Sequence, residues 1–571
     1  MAFRPRALRA SIPLVVAVGA AACATAAQRA AVRQAPDRSS YSAFNGDRRP
    51  LTRAERTNFQ ETSRYADVMQ FLDSLKLLGA QMTVGSVATT TQGRTVPYVI
   101  ASRPLVATPV EAQRLHRPVV YVQANIHAGE VEGKEALLSL LRDLLLRTGP
   151  NALDSMVLIA VPIYNADGNE AVGPQAQNRS AQNGPELVGT RANAQRLNLN
   201  RDYIKAEAPE TRGSLAMFNA WDPDVFVDLH TTDGSYHGYA LTYAPPLNPA
   251  AFFTEGYTRD TLLVEVRRNM RMRQGFEVYD YGNLATNDPS VPDNSWRTYE
   301  HTPRYGTNYY GLRGRIAVLS EAFSHDPFAR RVASTYDFVE EVLGFVSDNA
   351  LDIVELSREA DRRTTGWGNS PTTSPRIAIR SRMTTRPIVD AVLVERLVPD
   401  STRTEPGMAR GLRRTGEFVP VRMNVYTRFE PTIREPLPFA YAFAPDRFDA
   451  LVSLLRLHGV AMDRLAAPAA VQVAGFMVDS IVRSGRPFEG HDETTIKGRW
   501  EASASRTLPA GTILVRGGQP LGILAAYLLE PASDDGAVTW NLLDNFIARG
   551  AEFPVVRVTH PFTGTLQPMN P

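Results

Sequence analysis

Four short runs of apolar, often β-branched residues set the strongest limit on what this chain can fold into: VVYVQANI at 119–126, MVLIAVPI at 156–163, VFVDL at 225–229 and IAVLS at 316–320. Runs of this length without polar alternation read as strands buried on both faces. After the first comes EVEGKEALLSLLRDLLLRTGP, where Val131, Leu137, Leu138, Leu141, Leu144 and Leu145 form a broad helical stripe closed by Gly149 and Pro150. Strands alternating with helices define an α/β layer fold. A mixed, mostly parallel sheet flanked by helices is therefore expected. Three of the runs lead directly into a residue able to do chemistry, namely His127, His230 and Glu321. Sites in open α/β sheets gather at the carboxyl ends of strands, so the three are candidates for one site.

With 571 residues the chain is long enough for two or three domains. Tyr65, Met69, Leu72 and Leu75 have helical spacing up to Gly79, and the β-branched residues around Val96 to Ile100 continue a hairpin pattern. The Thr-, Ser-, Gly- and Pro-rich stretch TTGWGNSPTTSPR at 364–376 reads as a linker. This gives an expected catalytic domain at 59–363 and a smaller α+β C-terminal domain at 377–571, with a helix within 446–459 and strands near Thr512 to Val515 and Phe553 to Val558. Nothing in that second part assigns it a role.

Acidic and basic residues nearly balance, for a net charge of +2, which gives no reason to expect a nucleic-acid partner. Arg4, Arg6 and Arg9 precede an apolar stretch from Ile12 to Ala22 that is too short to span a bilayer. Residues 1–27 read as an export signal and 28–58 as a tether. The sole cysteine, Cys23, follows Ala20, Ala21 and Ala22. This resembles a bacterial lipoprotein cleavage site, although Ala20 stands where leucine is usual, and ordinary cleavage between Ala22 and Ala27 is the alternative. The chain is expected to be exported, as a periplasmic, lipid-anchored or secreted protein. One thiol excludes an intramolecular disulfide.

A catalytic zinc takes about three imidazole or carboxylate ligands and leaves one position open. In HAGE, His127 and Glu130 lie three apart at a strand-to-helix junction, where one turn brings both side chains to the same side. Alone, HxxE is weak. Across residues 60–345, however, further motifs follow in order: YNADGNE at 164–170, LNLNRDY at 197–203, DLH at 228–230 and LSEAF at 319–323. In this series the chain resembles the zinc carboxypeptidase family.

The resemblance implies one zinc per chain held by His127, Glu130 and His230, with Glu321 as general base. It implies Asn200 and Arg201 as the grip on a substrate's terminal carboxylate, a task suited to the planar guanidinium fork. It also implies an arginine for the developing oxyanion. Arg191 resembles the spacing of cytosolic members and is preferred to Arg179, which suits that of digestive members. Tyr309 is chosen over Tyr310 as the mobile tyrosine that caps the substrate. Two departures stand out: Ala166 replaces a proline, and Asn198 replaces the aspartate that orients the first zinc histidine, removing a charge that strengthens ligand basicity. His237 and His325 are expected behind the site or on the surface, and the NRS triplet at Asn178 is not expected to carry a glycan.

The implied activity is hydrolysis of C-terminal peptide bonds, with partners limited to peptides bearing a free C-terminal carboxylate and, through any N-terminal lipid, a membrane. Two other readings remain open. One is an amidohydrolase or deacylase acting on acylated amino acids or cell-wall peptides; the other is a non-catalytic surface-binding lipoprotein.

Overall fold

A computed structural model describes residues 49–286, 294–371, 374–387, 389–400, 402 and 412–569. Residues 1–27, read from the sequence as an export signal, and Cys23 with them, lie outside the described residues. The four apolar runs are the central strands of an eight-stranded sheet. In chain order its strands are β1 (Met82–Thr89), β2 (Thr95–Ala101), β3 (Val119–Ala124), β4 (Val157–Val161), β5 (Val225–Thr231), β6 (Leu241–Ala244), β7 (Val278–Asp280) and β8 (Ile316–Ala322). Their spatial order is β1-β2-β4-β3-β5-β8-β6-β7. The inner four, β4-β3-β5-β8, are mutually parallel, while β1, β2 and β6 join antiparallel.

Both faces of this sheet are covered, which is why its strands lack polar alternation. Along β3, Val119 and Tyr121 enter one apolar cluster with Phe218 and Phe226. Val120, Val122 and Ala124 enter the other, with Leu137, Leu141 and Val339. The helices behind these clusters include α1 (Glu132–Leu146), α2 (Pro209–Trp221) and α3 (Phe328–Asp348). Gly133, in the first turn of α1, permits a close approach. A Cβ there would lie 2.7 Å from the Leu229 side chain, so only glycine lets the helix start directly over β5.

From β3 the chain passes to β4 on one side and then crosses back to β5 on the other, so the β3/β5 boundary is where the winding reverses across the sheet, the usual place for a ligand crevice. His127 leaves β3 at this boundary and His230 ends β5. Glu321 is in register with His230 on the next strand.

The structure departs from the sequence reading at two connecting stretches. Within the presumed tether, Arg53–Arg56 form a helical turn capped reciprocally by Thr52 and Glu55, with Ala54 wholly buried. The expected linker begins as helix: α4 (Ala350–Asn369) includes Thr364 to Asn369. There, Trp367 stacks on Phe253 at 5.0 Å, and a Cβ on Gly368 would lie 2.0 Å from the Gly517 backbone. The glycine marks a close backbone approach, and tertiary packing overrides the poor helix propensity of the segment.

The C-terminal part is β-rich, with a seven-stranded sheet, smaller ribbons and helices at Asp449–Leu457 and Gly522–Leu529. It is hydrogen-bonded to the catalytic part, since strand Ser295–Arg297 pairs in parallel with Asn424 to Tyr426. Among the described residues no helix is long and apolar enough to cross a membrane.

Candidate metal centre

His127, Glu130 and His230 come together and are buried, with one ligand atom from each lying within 4.8 Å of the others. The turn that delivers the first two is locally determined. Asn125 adopts φ +65° at the exit of β3, a conformation that Asn tolerates better than other non-glycine residues. Its side-chain amide donates to the carbonyls of Ala128 and Glu130. Asn165, from the YNADGNE motif, donates to the carbonyls of Ile126 and Arg191 and accepts from Gly168 N–H. Asp167 of the same motif binds Thr90, the Gln92 N–H and Arg94, anchoring the entry hairpin.

The hydrogen bonds define what the two imidazoles can hold. His127 Nε2 lies 3.0 Å from Asn198 Oδ1, an acceptor, and His230 Nε2 lies 2.9 Å from Asp228 Oδ2. Each therefore carries its proton on Nε2 and turns a bare Nδ1 lone pair inward. The two Nδ1 atoms are 3.2 Å apart, and the Glu130 oxygens approach them at 3.1 and 3.0 Å. Three electron-rich groups converging in a buried place suit a cation, and two imidazoles with one carboxylate match a catalytic zinc set.

Electrostatics agree. Burial, reinforced by Arg191, pushes His127 down to about 3, which keeps it a neutral ligand. For His230, Asp228 and Glu130 outweigh burial and raise its proton affinity, so a proton occupies the lone pair when no metal ion does. Burial favours neutral Glu130, but His127 and Arg179 overcome it and hold the carboxyl well below its ordinary range.

Around this centre stand the other expected residues. Glu321 is nearly buried, and burial raises its carboxyl well above the usual value. Glu130 and Asp233 add to that rise; His230 and Arg179 oppose it. Both candidate arginines reach Glu130 Oε1, Arg179 Nη1 at 2.9 Å and Arg191 Nη1 at 3.3 Å. Their settings differ. Arg179 is also bound to the carbonyls of Thr231 and Thr232, and Gly129 makes room for it, since a Cβ there would lie 2.6 Å from its side chain. Arg191 is more exposed and lies 3.1 Å from His127 Nδ1. That lone pair can serve a guanidinium or a metal ion, not both.

Asn200 and Arg201 belong to a short 3-10 turn, Leu199–Arg201, capped by the Asn198 side chain. Asn200 accepts from Gly306 N–H, and its Nδ2 lies 3.3 Å from His230 Nε2. Arg201 stacks on the Tyr305 ring at 3.9 Å. Neither Asp202 nor Glu210 pairs with it: Asp202 binds Lys205, and Glu210 binds Asn193.

Tyr309 is not at the site. It is wholly buried, with its hydroxyl 2.7 Å from His458 Nδ1 and its ring among Tyr203 and Tyr310. A core tyrosine with its polar tip satisfied cannot act as a mobile cap, and the tyrosine against the guanidinium is Tyr305. His237 and His325 are likewise buried, and neither is on the surface. His237 packs on Phe323 and Trp296, and His325 stacks on Tyr236 with Nε2 against the Gly234 carbonyl. Asn178 donates to the Val188 carbonyl.

Asp228, which meets His230 Nε2, has no assigned role in the motif reading. It lies two before His230, and alternate strand residues share a face, so the signal was present in DLH. Tyr305 carried none, being one tyrosine among several in a short stretch.

These features define a hydrolase with one buried metal-binding cluster, among the described residues, at the carboxyl edge of an α/β sheet. Residues 68–287 match the family model described as zinc carboxypeptidase, and with the curated relatives this indicates a zinc metallopeptidase. Among curated proteins it is 23% identical over 487 residues to Carboxypeptidase 2 of Trichophyton tonsurans, covering 82% of this chain and 81% of that one. Carboxypeptidase 2 of Trichophyton rubrum is 23% identical over 480 residues, with the same coverage. Both spans exceed what residues 1–363 can supply, so the likeness reaches into the C-terminal part. Among solved structures, a metallo-carboxypeptidase from Burkholderia cenocepacia has a TM-score of 0.37 at 19% identity, covering 51% of this chain and 70% of that one. Carboxypeptidase A from Helicoverpa armigera has a TM-score of 0.38 at 14% identity, covering 55% and 79%.

Asn198 provides a prediction about the metal. Asn198→Asp keeps the cap on Asn200 N–H and the acceptor for His127, but adds the charge that raises imidazole basicity. Zinc retention against a competing chelator is expected to improve by roughly tenfold. Retention equal to or below that of the unaltered protein would count against a role for this contact in metal affinity.

Proposed function

We propose that the protein removes C-terminal residues from peptides by hydrolysis, with Glu321 as general base and Arg201 as the anchor of the terminal carboxylate. The observation that carries this reading is Arg201 itself. Its guanidinium is largely buried against Tyr305, burial lowers its proton affinity, and no carboxylate partner is found for it among the described residues. A buried cation without an anion is costly, and a substrate carboxylate supplies the missing charge. Asn200 lies between this cation and His230, and because His230 Nε2 already carries a proton, the Asn200 Nδ2 hydrogens are left for a substrate oxygen.

Zinc held by His127, Glu130 and His230 supplies Lewis acidity that polarises a carbonyl and activates water. Glu321 takes the proton from the attacking water and passes it to the departing amine as the C–N bond breaks. Arg191, with the freer of the two guanidinium groups, stabilises the oxygen on which charge develops. Arg179, committed to Glu130 and two carbonyls, holds the ligand carboxylate in place.

On the Arg-flanked apolar stretch before Cys23 alone, we further propose that the chain is exported and either lipidated at Cys23 or cleaved just beyond it. Mass analysis of the mature N-terminus separates the two.

The activity is tested by incubating N-blocked peptides with the zinc-loaded protein. Release of single C-terminal amino acids is expected, lost on chelation and restored by zinc. Release of the acyl group from acylated amino acids, with none from peptides, would instead support the deacylase reading. Activity that survives removal of the metal would overturn both.

A further inference from the structure

Two strands of the C-terminal part, β9 (Phe476–Arg483) and β10 (Thr494–Trp500), form an antiparallel ribbon. Its tip reaches the loops that carry the substrate-side residues. At the end, Phe488 and His491 exchange both backbone hydrogen bonds, at 2.8 and 3.0 Å, around a two-residue turn of Glu489 and Gly490. Both turn residues have positive φ, +49° and +85°. Such a turn ordinarily takes Asn, Asp or Gly at its first central position, and a glutamate there adopts the left-handed region at a cost. Turn chemistry gives no reason for Glu489.

Its side chain gives one. Glu489 Oε2 accepts the backbone N–H of Asn198 at 3.0 Å. Asn198 is the residue whose side chain accepts from His127 Nε2 and caps the turn bearing Asn200 and Arg201. One carboxylate of the C-terminal part thus holds the residue that orients a metal ligand on one side and the anchor turn on the other.

The same tip, with the loop that carries Asp535 and Trp540, grips both walls of the anchor. His491 Nε2 lies 2.8 Å from Glu207 on the loop after Arg201. On the opposite wall, Arg304 donates from its backbone and Nε to Asp535, pairs with Glu493 at 2.8 Å, and lies against the rings of Phe488 and Trp540. Arg304 immediately precedes Tyr305, on which Arg201 rests.

We propose that Glu489 is a positioning residue for the peptidase site, and that the C-terminal part completes this site. The inference rests on the reading of His127 as a zinc ligand and Arg201 as the carboxylate anchor. Loss of the Glu489 bond frees Asn198, so both zinc retention and substrate binding weaken.

The test uses full-length protein carrying Glu489→Ala, Glu489→Asp, Glu489→Gln or Arg486→Ala. Zinc retention is measured by chelator competition, and KM and kcat on a peptide with a free C-terminus. Glu489→Ala and the shorter Glu489→Asp are expected to lose zinc about tenfold more readily, in the range for groups that orient a metal ligand, and to raise KM several-fold. Glu489→Gln keeps an acceptor at the same reach and stays within about twofold of the unaltered protein, while the exposed Arg486→Ala is unchanged. Wild-type zinc retention and KM in Glu489→Ala would overturn the proposal, as would equal impairment of Glu489→Gln. Should Glu489→Ala fail to fold, the contrast between the Asp and Gln variants decides. Should the unaltered protein release no amino acid, the peptidase reading fails, while the zinc measurements still test Glu489.

Discussion

Glu321→Gln is expected to lower kcat by about 10²–10⁴, the range attributable to a positioned general acid–base group, while zinc content and KM stay near their starting values. The reasoning begins with position. Glu321 lies at the carboxyl end of β8, in register with His230, so it borders the metal ligands without belonging to them. Burial raises its carboxyl well above the ordinary value, with Glu130 and Asp233 adding to the rise, and a carboxylate of raised basicity is suited to taking a proton from water. Glutamine has the same shape and can still hydrogen-bond, but it cannot accept and release that proton. Steady-state kinetics with metal analysis on the same preparation test this. Turnover near that of the unaltered protein would remove Glu321 from the mechanism; lost zinc would make its role structural.

Glu321 also shows how far sequence could go, because it lies beyond the residues matched by the family model, which end at 287. It was legible because IAVLS has no face for water, and a charged residue at the end of such a strand needs a reason. The same logic found His127 and His230. Tyr309 misled for the opposite reason: TNYYG sits close to the catalytic strand, and nothing in its composition distinguishes a tyrosine bonded to His458 in the core from one stacked on Arg201. The expected linker shows a further limit. Gly368 reads as a breaker until the Gly517 backbone is seen against it, and no local pattern encodes a contact across that span of sequence.

The contribution of the C-terminal part was illegible for a related reason. Glu489, Glu493, Asp535 and Trp540 occur in turns and loops, where acidic residues are ordinary. They gain meaning only because the β9–β10 ribbon brings Glu489 and Glu493 to Asn198 and Arg304, and the loop after the helix Gly522–Leu529 brings Asp535 and Trp540 to Arg304. The metal ligands come from strand ends and a helix start, which periodicity reveals. The support for the anchor comes from loops, which it does not.

Arg201 sets the second large effect. Arg201→Met preserves much of the stacking bulk over Tyr305 but removes the charge and the fork of donors. Hydrogen bonds to charged groups contribute roughly 1.5–3 kcal/mol each, so losing a two-pronged contact is expected to reduce kcat/KM on peptides with a free C-terminus by about 10²–10⁴. The decisive comparison is with the same peptides amidated at the C-terminus. In the unaltered protein the amide is expected to be the far poorer substrate, because it leaves a buried cation uncompensated. In Arg201→Met that penalty is absent, so activity on the amide should hardly fall and the preference for the free acid should collapse. Arg201→Lys, with a point charge in place of the fork, should fall between the two. If both substrates lose activity in equal proportion, Arg201 supports the fold of the loop, and the carboxylate must be bound elsewhere. If only the free acid suffers, the guanidinium resting on Tyr305 is what makes this metal centre an exopeptidase.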